Sequence, residues 1–461
     1  MSKSGMSKIF DSVTAVLLCG PDVFIAKRQV HLLAFPGYWA FPGGKVDKAD
    51  SDDVLTHPLL AGHPPRLLRA LDRELREELG FDLLAAVAAG QVRALRPLGE
   101  VTTPAFMPVR FRTHFFEIEL LEQPVLQVDA GETAEVAWHS PHALHEQLAA
   151  GRLLAAPPTR IVIQQLTSAT ARNGLPDFNF SLDEQRDIPW IEVVAGLRLI
   201  AVRSNTIPPA DRTNAFWLGK GARRVLIDPS PNNREELARL QNLIEQFGLD
   251  EIFLTHHHPD HREFADDLAR HFDVPIGMSA DTQARIAQRS SKFFDGVETK
   301  LYGEGDVLTQ WQGEDVRLYA VPGHDEGQLA PMPDSRTWCI VSDLIQGVGT
   351  VVVGGPEGNM RKYFASLQRV IDLDPQIIIP SHGPAFGSTY RIRETLQHRL
   401  QREEQVFALH QAGESPQQML SEIYKGLDPR LAPLALINIQ SHLKKLHEDG
   451  RIEPHSAANT I

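Results

Sequence analysis

The densest concentration of chemistry-bearing side chains falls between positions 256 and 261, where His256, His257, His258, Asp260 and His261 fill five of six places. Imidazoles and a carboxylate at His-x-His-x-Asp-His spacing bind divalent cations, and two ions fit side by side. In an extended segment residues two apart point the same way, so His256 and His258 can share one ion. Pro259 prevents regular ladder pairing and turns the chain, which sends Asp260 and His261 toward a second. Further ligands lie downstream. His324 follows Val321-Pro322-Gly323, Asp343 closes the apolar run Trp338–Ser342, and His382 closes the run at 377–381. Water held by such ions loses a proton near neutral pH, so the expected reaction is hydrolysis.

A second cluster is all carboxylate. Glu74, Glu77 and Glu78 stand at i, i+3 and i+4 in a stretch with helical spacing, which places them on one face. Oxygen ligands of this kind suit Mg²⁺ or Mn²⁺. Upstream lies a glycine-rich loop, Gly37 to Lys45, containing Gly43 and Gly44.

These side chains need positioning elements, and the hydropathy pattern supplies them. The apolar run Ile252 to Leu254 reads as a buried strand ending at the histidine cluster, and the other candidate ligands also sit at strand ends. Val13 to Leu18 and Val23 to Ala26 read as strands around a Gly-Pro-Asp turn. Arg66 to Leu79 reads as a helix with Leu67, Leu68, Leu71 and Leu75 along one side and Gly80 as its stop. Leu237 to Phe247 and Phe264 to Phe272 read as covering helices. After His382 the spacing predicts helices over Arg391 to Gln411, from Ser415-Pro416, and over Ala432 to Glu448, then a short wing at Gly450 to Glu453.

On the ligand cluster, its downstream partners and Asp228 after the run Arg224 to Ile227, residues 190–385 resemble the metallo-beta-lactamase family, an αββα sandwich. The resemblance implies that His256, His258 and His324 hold one zinc ion, and that Asp260, His261 and His382 hold a second. It further implies that Asp343 bridges the two and that Asp260 orients the attacking water. Where that family often has two glycines after the last histidine of the cluster, Arg262-Glu263-Phe264 follow.

Gly44 and the run Arg73-Glu74-Leu75-Arg76-Glu77-Glu78-Leu79-Gly80-Phe81 resemble the Nudix box, with Asp50 in place of its first glutamate and an insertion from Ser51 to about Pro65. That resemblance implies an α/β/α sandwich over residues 1–168, Mg²⁺ on Glu74, Glu77 and Glu78, a catalytic role for Glu77, and substrate contacts from Gly43, Gly44 and Arg73. Glu132 is a further candidate metal or base residue. Thr103-Pro104, Arg110 to Phe116 and Ala156 to Thr159 look most like the coenzyme A diphosphatase branch. Residues 386–461 resemble the winged helix appended to a branch of metallo-beta-lactamase hydrolases that includes a single-strand endoribonuclease and thioesterases. Residues 169–189, rich in Asn, Gly, Pro and Asp, read as the linker.

At 461 residues the chain is long enough for two or three domains. The net charge of −13 argues against a broadly basic nucleic-acid surface. Cys19 and Cys339 lie in apolar runs and read as core residues. No apolar run approaches a membrane span and no signal-peptide core is present, so the expected location is cytoplasmic. The leading expectation is an α/β multidomain hydrolase that cleaves a thioester or related acyl bond and, at the Nudix site, a CoA or nucleotide-diphosphate conjugate. The alternative is an endoribonuclease with RNA as partner, its Nudix domain degenerate or a ligand sensor. The tail is expected to lid the cleft or to mediate a homodimer.

Overall fold

The computed structural model describes residues 8–104, 110–168, 176, 178, 183 and 186–453. The chain divides into two compact units, Met1–Gln185 with Glu192–Ala195 and Arg186–Ile191 with Gly196–Ile461. The predicted linker falls largely outside the described residues.

The first unit is built on a six-stranded sheet. Its centre is Ile9–Cys19, paired in parallel with Arg110–Leu120 along eleven residues and antiparallel with Asp22–Arg28. Alternation along Ile9–Cys19 sends Val13, Ala15 and Leu17 to one face and Val16 to the other. On the first face, helix Pro65–Leu79 buries Leu68, Leu71, Leu75 and Leu79. Each such leucine contributes about 1.5–3 kcal/mol on burial. Proline opens this helix and Gly80, at φ 64°, closes it, its N–H reaching the Arg76 and Leu75 carbonyls. Helices Pro141–Ala149 and Pro157–Leu166 cover the second face through Leu144, Leu148, Val162 and Ile163. The result is an α/β/α sandwich.

Among the described residues the second unit carries one large sheet and two small ones, of three and two strands. In the large sheet, the short buried strands Val225–Ile227, Glu251–Phe253 and Ile276–Met278 run parallel, and Arg212–Leu218 pairs antiparallel with Val225–Ile227 and with Leu197–Arg203. Strands this short and buried on both faces are wholly apolar apart from Glu251 and Gly277, as in covered parallel sheets. Helices Arg234–Phe247 and Ala265–Phe272 pack on this sheet. On the other side, Trp338–Ser342 pairs in parallel with Ile377–Pro380, and Val307–Trp311, Glu314–Ala320 and Leu329–Pro333 form a meander. Helices Met360–Leu373 and Tyr390–Gln411 pack against that half, completing four layers.

The C-terminal helices belong to this same unit. Pro416–Ile423 starts at Ser415 with a full capping box to Gln418, and Ala432–Glu448 has the predicted bounds. Val406, Met419, Ile439 and Leu446 form their small core. Gly450 to Glu453 form turn and bend, with no strand among the described residues. No helix among the described residues is long and apolar enough to cross a membrane.

Candidate metal centre

Strand Glu251–Phe253 carries the chain into the cluster, and Leu254 is still held by its N–H to the Gly277 carbonyl. His258 then caps a single helical turn, Pro259–Arg262, and the proline opens the turn that aims Asp260 and His261. Phe264, in the stretch where the resembling family often has glycines, adopts φ 59°, the left-handed conformation glycine favours. Arg262 is buried, donates to the His257 carbonyl at 2.8 Å and lies over the Phe293 ring.

Two groups of donor atoms converge. His256 Nε2 and His324 Nε2 each lie 3.0 Å from His258 Nδ1. Asp260, His261 and His382 bring one ligand atom apiece within 4.8 Å of one another. Asp343 stands between the groups, its Oδ2 3.5 Å from His261 Nε2 and 3.6 Å from His324 Nε2, its Oδ1 3.4 Å from His382 Nε2.

The far side of each ring is fixed by a neighbour. His324 Nδ1 donates to the Val352 carbonyl at 2.8 Å and His382 Nδ1 to the Arg212 carbonyl at 2.9 Å. His261 Nδ1 donates to Asp228 at 2.8 Å, and the same carboxylate accepts from the N–H and hydroxyl of Thr255. Asp228 thus orients from behind. The strand Arg212–Leu218 holds the last histidine's loop through Asn214, whose amide donates to the Pro380 and Gly383 carbonyls.

With protons on the outer nitrogens, lone pairs face inward. His261 Nε2, His382 Nε2 and Asp343 Oδ1 are buried and have no hydrogen-bond partner, an arrangement costing about 1–3 kcal/mol for each atom. A divalent cation at each group would satisfy them, so the donor set fits such ions. Burial, reinforced by the imidazoles of His261, His258 and His324, holds His256 well below its ordinary pKa. Burial and His258 bring His324 down to about 4. Burial also opposes charge on His261, but Asp343, Asp228 and Asp260 outweigh it and hold that imidazole well above its usual value.

Sequence reasoning left several neighbours unassigned. His257 Nδ1 lies 2.5 Å from Asp325 Oδ2, close enough for an ion pair but without hydrogen-bond alignment, and both side chains are fully buried. Glu357 Oε1 lies 3.5 Å from His258 Nε2 and 3.1 Å from Arg289 Nη2. Asp325 could have been noticed as a carboxylate beside His324. Glu357 sits in a glycine-rich loop with no motif around it.

In the first unit, Gly43 N–H donates to Glu78 at 3.2 Å, and a Cβ on Gly44 would meet the Glu74 carboxylate at 2.4 Å. Burial pushes Glu78 up to about 8, with Glu74 and Glu132 adding to the effect. Glu77 is exposed. Arg73 bonds Asp50, Glu74, Glu77 and the Lys45 carbonyl, so its guanidinium braces the carboxylates of the box.

Family comparisons agree with this architecture. The metallo-beta-lactamase superfamily matches residues 208–382, the NUDIX domain 9–157 and the beta-lactamase associated winged helix domain 415–458. The chain joins these three domains in one hydrolytic enzyme. A Drosophila melanogaster beta-lactamase-like protein 2 homolog is 27% identical over 270 residues, 54% of this chain and 86% of that protein. A hydroxyacylglutathione hydrolase of Yersinia pestis (strain Pestoides F) is 30% identical over 175 residues, 37% of this chain and 62% of that protein. A beta-lactamase domain protein from Burkholderia ambifaria superposes with TM-score 0.49 at 21% identity, covering 59% of this chain and 91% of that one.

Proposed function

We propose that the metallo-beta-lactamase domain is a dinuclear zinc hydrolase of thioesters, and that the Nudix domain is a Mg²⁺-dependent pyrophosphatase for CoA or nucleotide-diphosphate conjugates. The observation that carries the first half is the pair of donor groups on either side of Asp343. His256, His258 and His324 would hold one ion, Asp260, His261 and His382 the other, and Asp343 both. Two such ions, when bound, activate water as a nucleophile and polarise the carbonyl under attack. Asp260, less buried than its neighbours, orients that water and accepts its hydrogen bond. Asp228 and Thr255 keep His261 in one tautomer. In the Nudix domain Glu74, Glu77 and Glu78 would hold Mg²⁺, which relieves the burial penalty on Glu78. Gly43 and Gly44 let the Val13 backbone and the Glu74 carboxylate close on the turn, and with Arg73 they would contact the substrate.

A thioester is favoured by the similarity to a hydroxyacylglutathione hydrolase and by the tail's charges. Lys444, Lys445 and Arg451 are the cations clustered on the tail; Lys445 is bound by Glu403 and Asp449 and Arg451 by Glu404, so two of the three are internally paired. With the zinc-loaded chain, Asp260→Ala lowers kcat/KM for hydroxyacylglutathione or acyl-CoA about a hundredfold or more and leaves Mg²⁺-dependent cleavage of CoA intact. Glu77→Gln does the reverse. Unimpaired thioester turnover in Asp260→Ala sinks the mechanism, and steeply salt-dependent RNA binding with RNA cleavage replaces the substrate class.

A further inference from the structure

The segment 351–357 touches both the metal centre and the C-terminal helices. On one side the Val352 carbonyl accepts from His324 Nδ1 at 2.8 Å, and Glu357 faces His258 Nε2 at 3.5 Å. On the other, Val353 N–H donates to Asn438 Oδ1 at 2.9 Å, and the Val351 carbonyl accepts from Arg399. Asn438 and Arg399 are both buried. Gly354 lies flat on helix Ala432–Glu448. A Cβ there would meet Ile437 Cγ2 at 2.4 Å and Ser441 Oγ at 2.6 Å. Just beyond, Asn359 N–H donates to the Gly323 carbonyl at 2.8 Å, beside His324.

We infer that Asn438 and Arg399 are positioning residues of the metal centre, fixing the 351–357 segment so that Val352 and Glu357 orient His324 and His258. The inference rests on the dinuclear reading above. It gives the helix that a nucleic-acid reader would use for recognition a different task. Its buried face turns Asn438, Ser441 and His442 toward the hydrolase, and the amide on that face supports one of the two groups of donors. Hydrogen-bond partners behind metal-bound histidines set ring orientation and basicity, and losing one weakens metal affinity ten- to a hundredfold.

The full chain, stripped and reloaded with cobalt alone, separates the two groups. Four-coordinate cobalt absorbs far more strongly in the visible than six-coordinate cobalt, and a group of three imidazoles favours the former whereas the oxygen-rich Nudix glutamates favour the latter. In Asn438→Ala the strong bands are expected to vanish at about tenfold lower chelator concentration, with the weaker cobalt retained as in the parent. The His324 Nδ1 proton, seen by NMR, is expected to exchange faster. Asn438→Asp, which keeps an acceptor for Val353 N–H, restores both. His442→Gln perturbs the same helix on its Glu403 side and is expected to leave the strong bands unchanged. If Asn438→Ala does not fold, Arg399→Lys serves, because it retains the charge but shortens the reach to Val351. Unchanged chelation and proton exchange in a folded variant overturn the inference, as does the same selective loss in His442→Gln. A parent chain lacking the strong bands sinks the dinuclear reading and this inference together.

Discussion

Asp228 and Ser342 both meet the Thr255 hydroxyl beside the candidate metal centre, and both hold left-handed backbone conformations, φ 49° and 50°, that side chains rarely adopt. Such strain persists only where surrounding contacts impose it. For Asp228 the contacts are Thr255 and His261, and for Ser342 the hydroxyl of Thr255 at 2.8 Å. Replacing Asp228 by Asn preserves shape but removes the negative acceptor that fixes His261. The expected result is a ten- to hundredfold loss of metal affinity at the Asp260–His261–His382 group, read by chelator titration, with the His256–His258–His324 group less affected. At this scale spacing made the donor residues legible, because few other arrangements explain five imidazoles and carboxylates in six places. Thr255 and Glu357 were not legible, nor was the pairing of His257 with Asp325, although Asp325 stands beside His324. Their partners lie 27 to about 100 positions away.

Elements decide where those residues end up. The Gly43-Gly44 turn is clasped by strand Ile9–Cys19, with Val13 N–H on the Gly44 carbonyl and Ala15 N–H on the Pro42 carbonyl, both at 2.8 Å. Gly43 has φ 147°, and a Cβ there would meet the Val13 carbonyl oxygen at 2.1 Å. Gly43→Ala is therefore expected to cost about 3 kcal/mol or more in the first unit, measured by denaturant unfolding, and to abolish its Mg²⁺-dependent activity. Periodicity located most elements: the box helix starts one residue before its predicted first residue, and the final long helix matches at both ends. Pro259 was read as a break in a strand, but proline is also the preferred first residue of a helix, which a sequence run of four residues cannot reveal. Gly450 to Glu453 form turn and bend, and the winged-helix match runs past them to residue 458.

Across the whole molecule, the C-terminal helices share a unit with the hydrolase through buried polar contacts as well as apolar ones. Glu403 accepts from Lys445 at 2.8 Å and faces His442 Nδ1 at 3.4 Å. Burial disfavours the Glu403 charge, but His442 and Lys445 outweigh it and hold its carboxyl below the usual range. Burial holds His442 below its usual value as well. Both shifts act in one direction. A histidine kept neutral loses its share of stability as pH falls below about 6.5, and a carboxyl held low loses its share as pH falls below about 4.5. The second unit is expected to melt at progressively lower temperature in these two stages, and His442→Gln is expected to weaken the first, to which His256 and His324 also contribute, in a calorimetric pH series. That the tail packs here depended on contacts such as Asn438 to Val353, which composition and charge do not encode. The two thiols are divided between the units. Cys339 is buried, its thiol pushed up to about 12, whereas Cys19 is partly open to solvent. Thiol-directed dyes react with the thiolate, so a single fluorophore would mark the first unit alone and leave the histidine cluster of the second untouched.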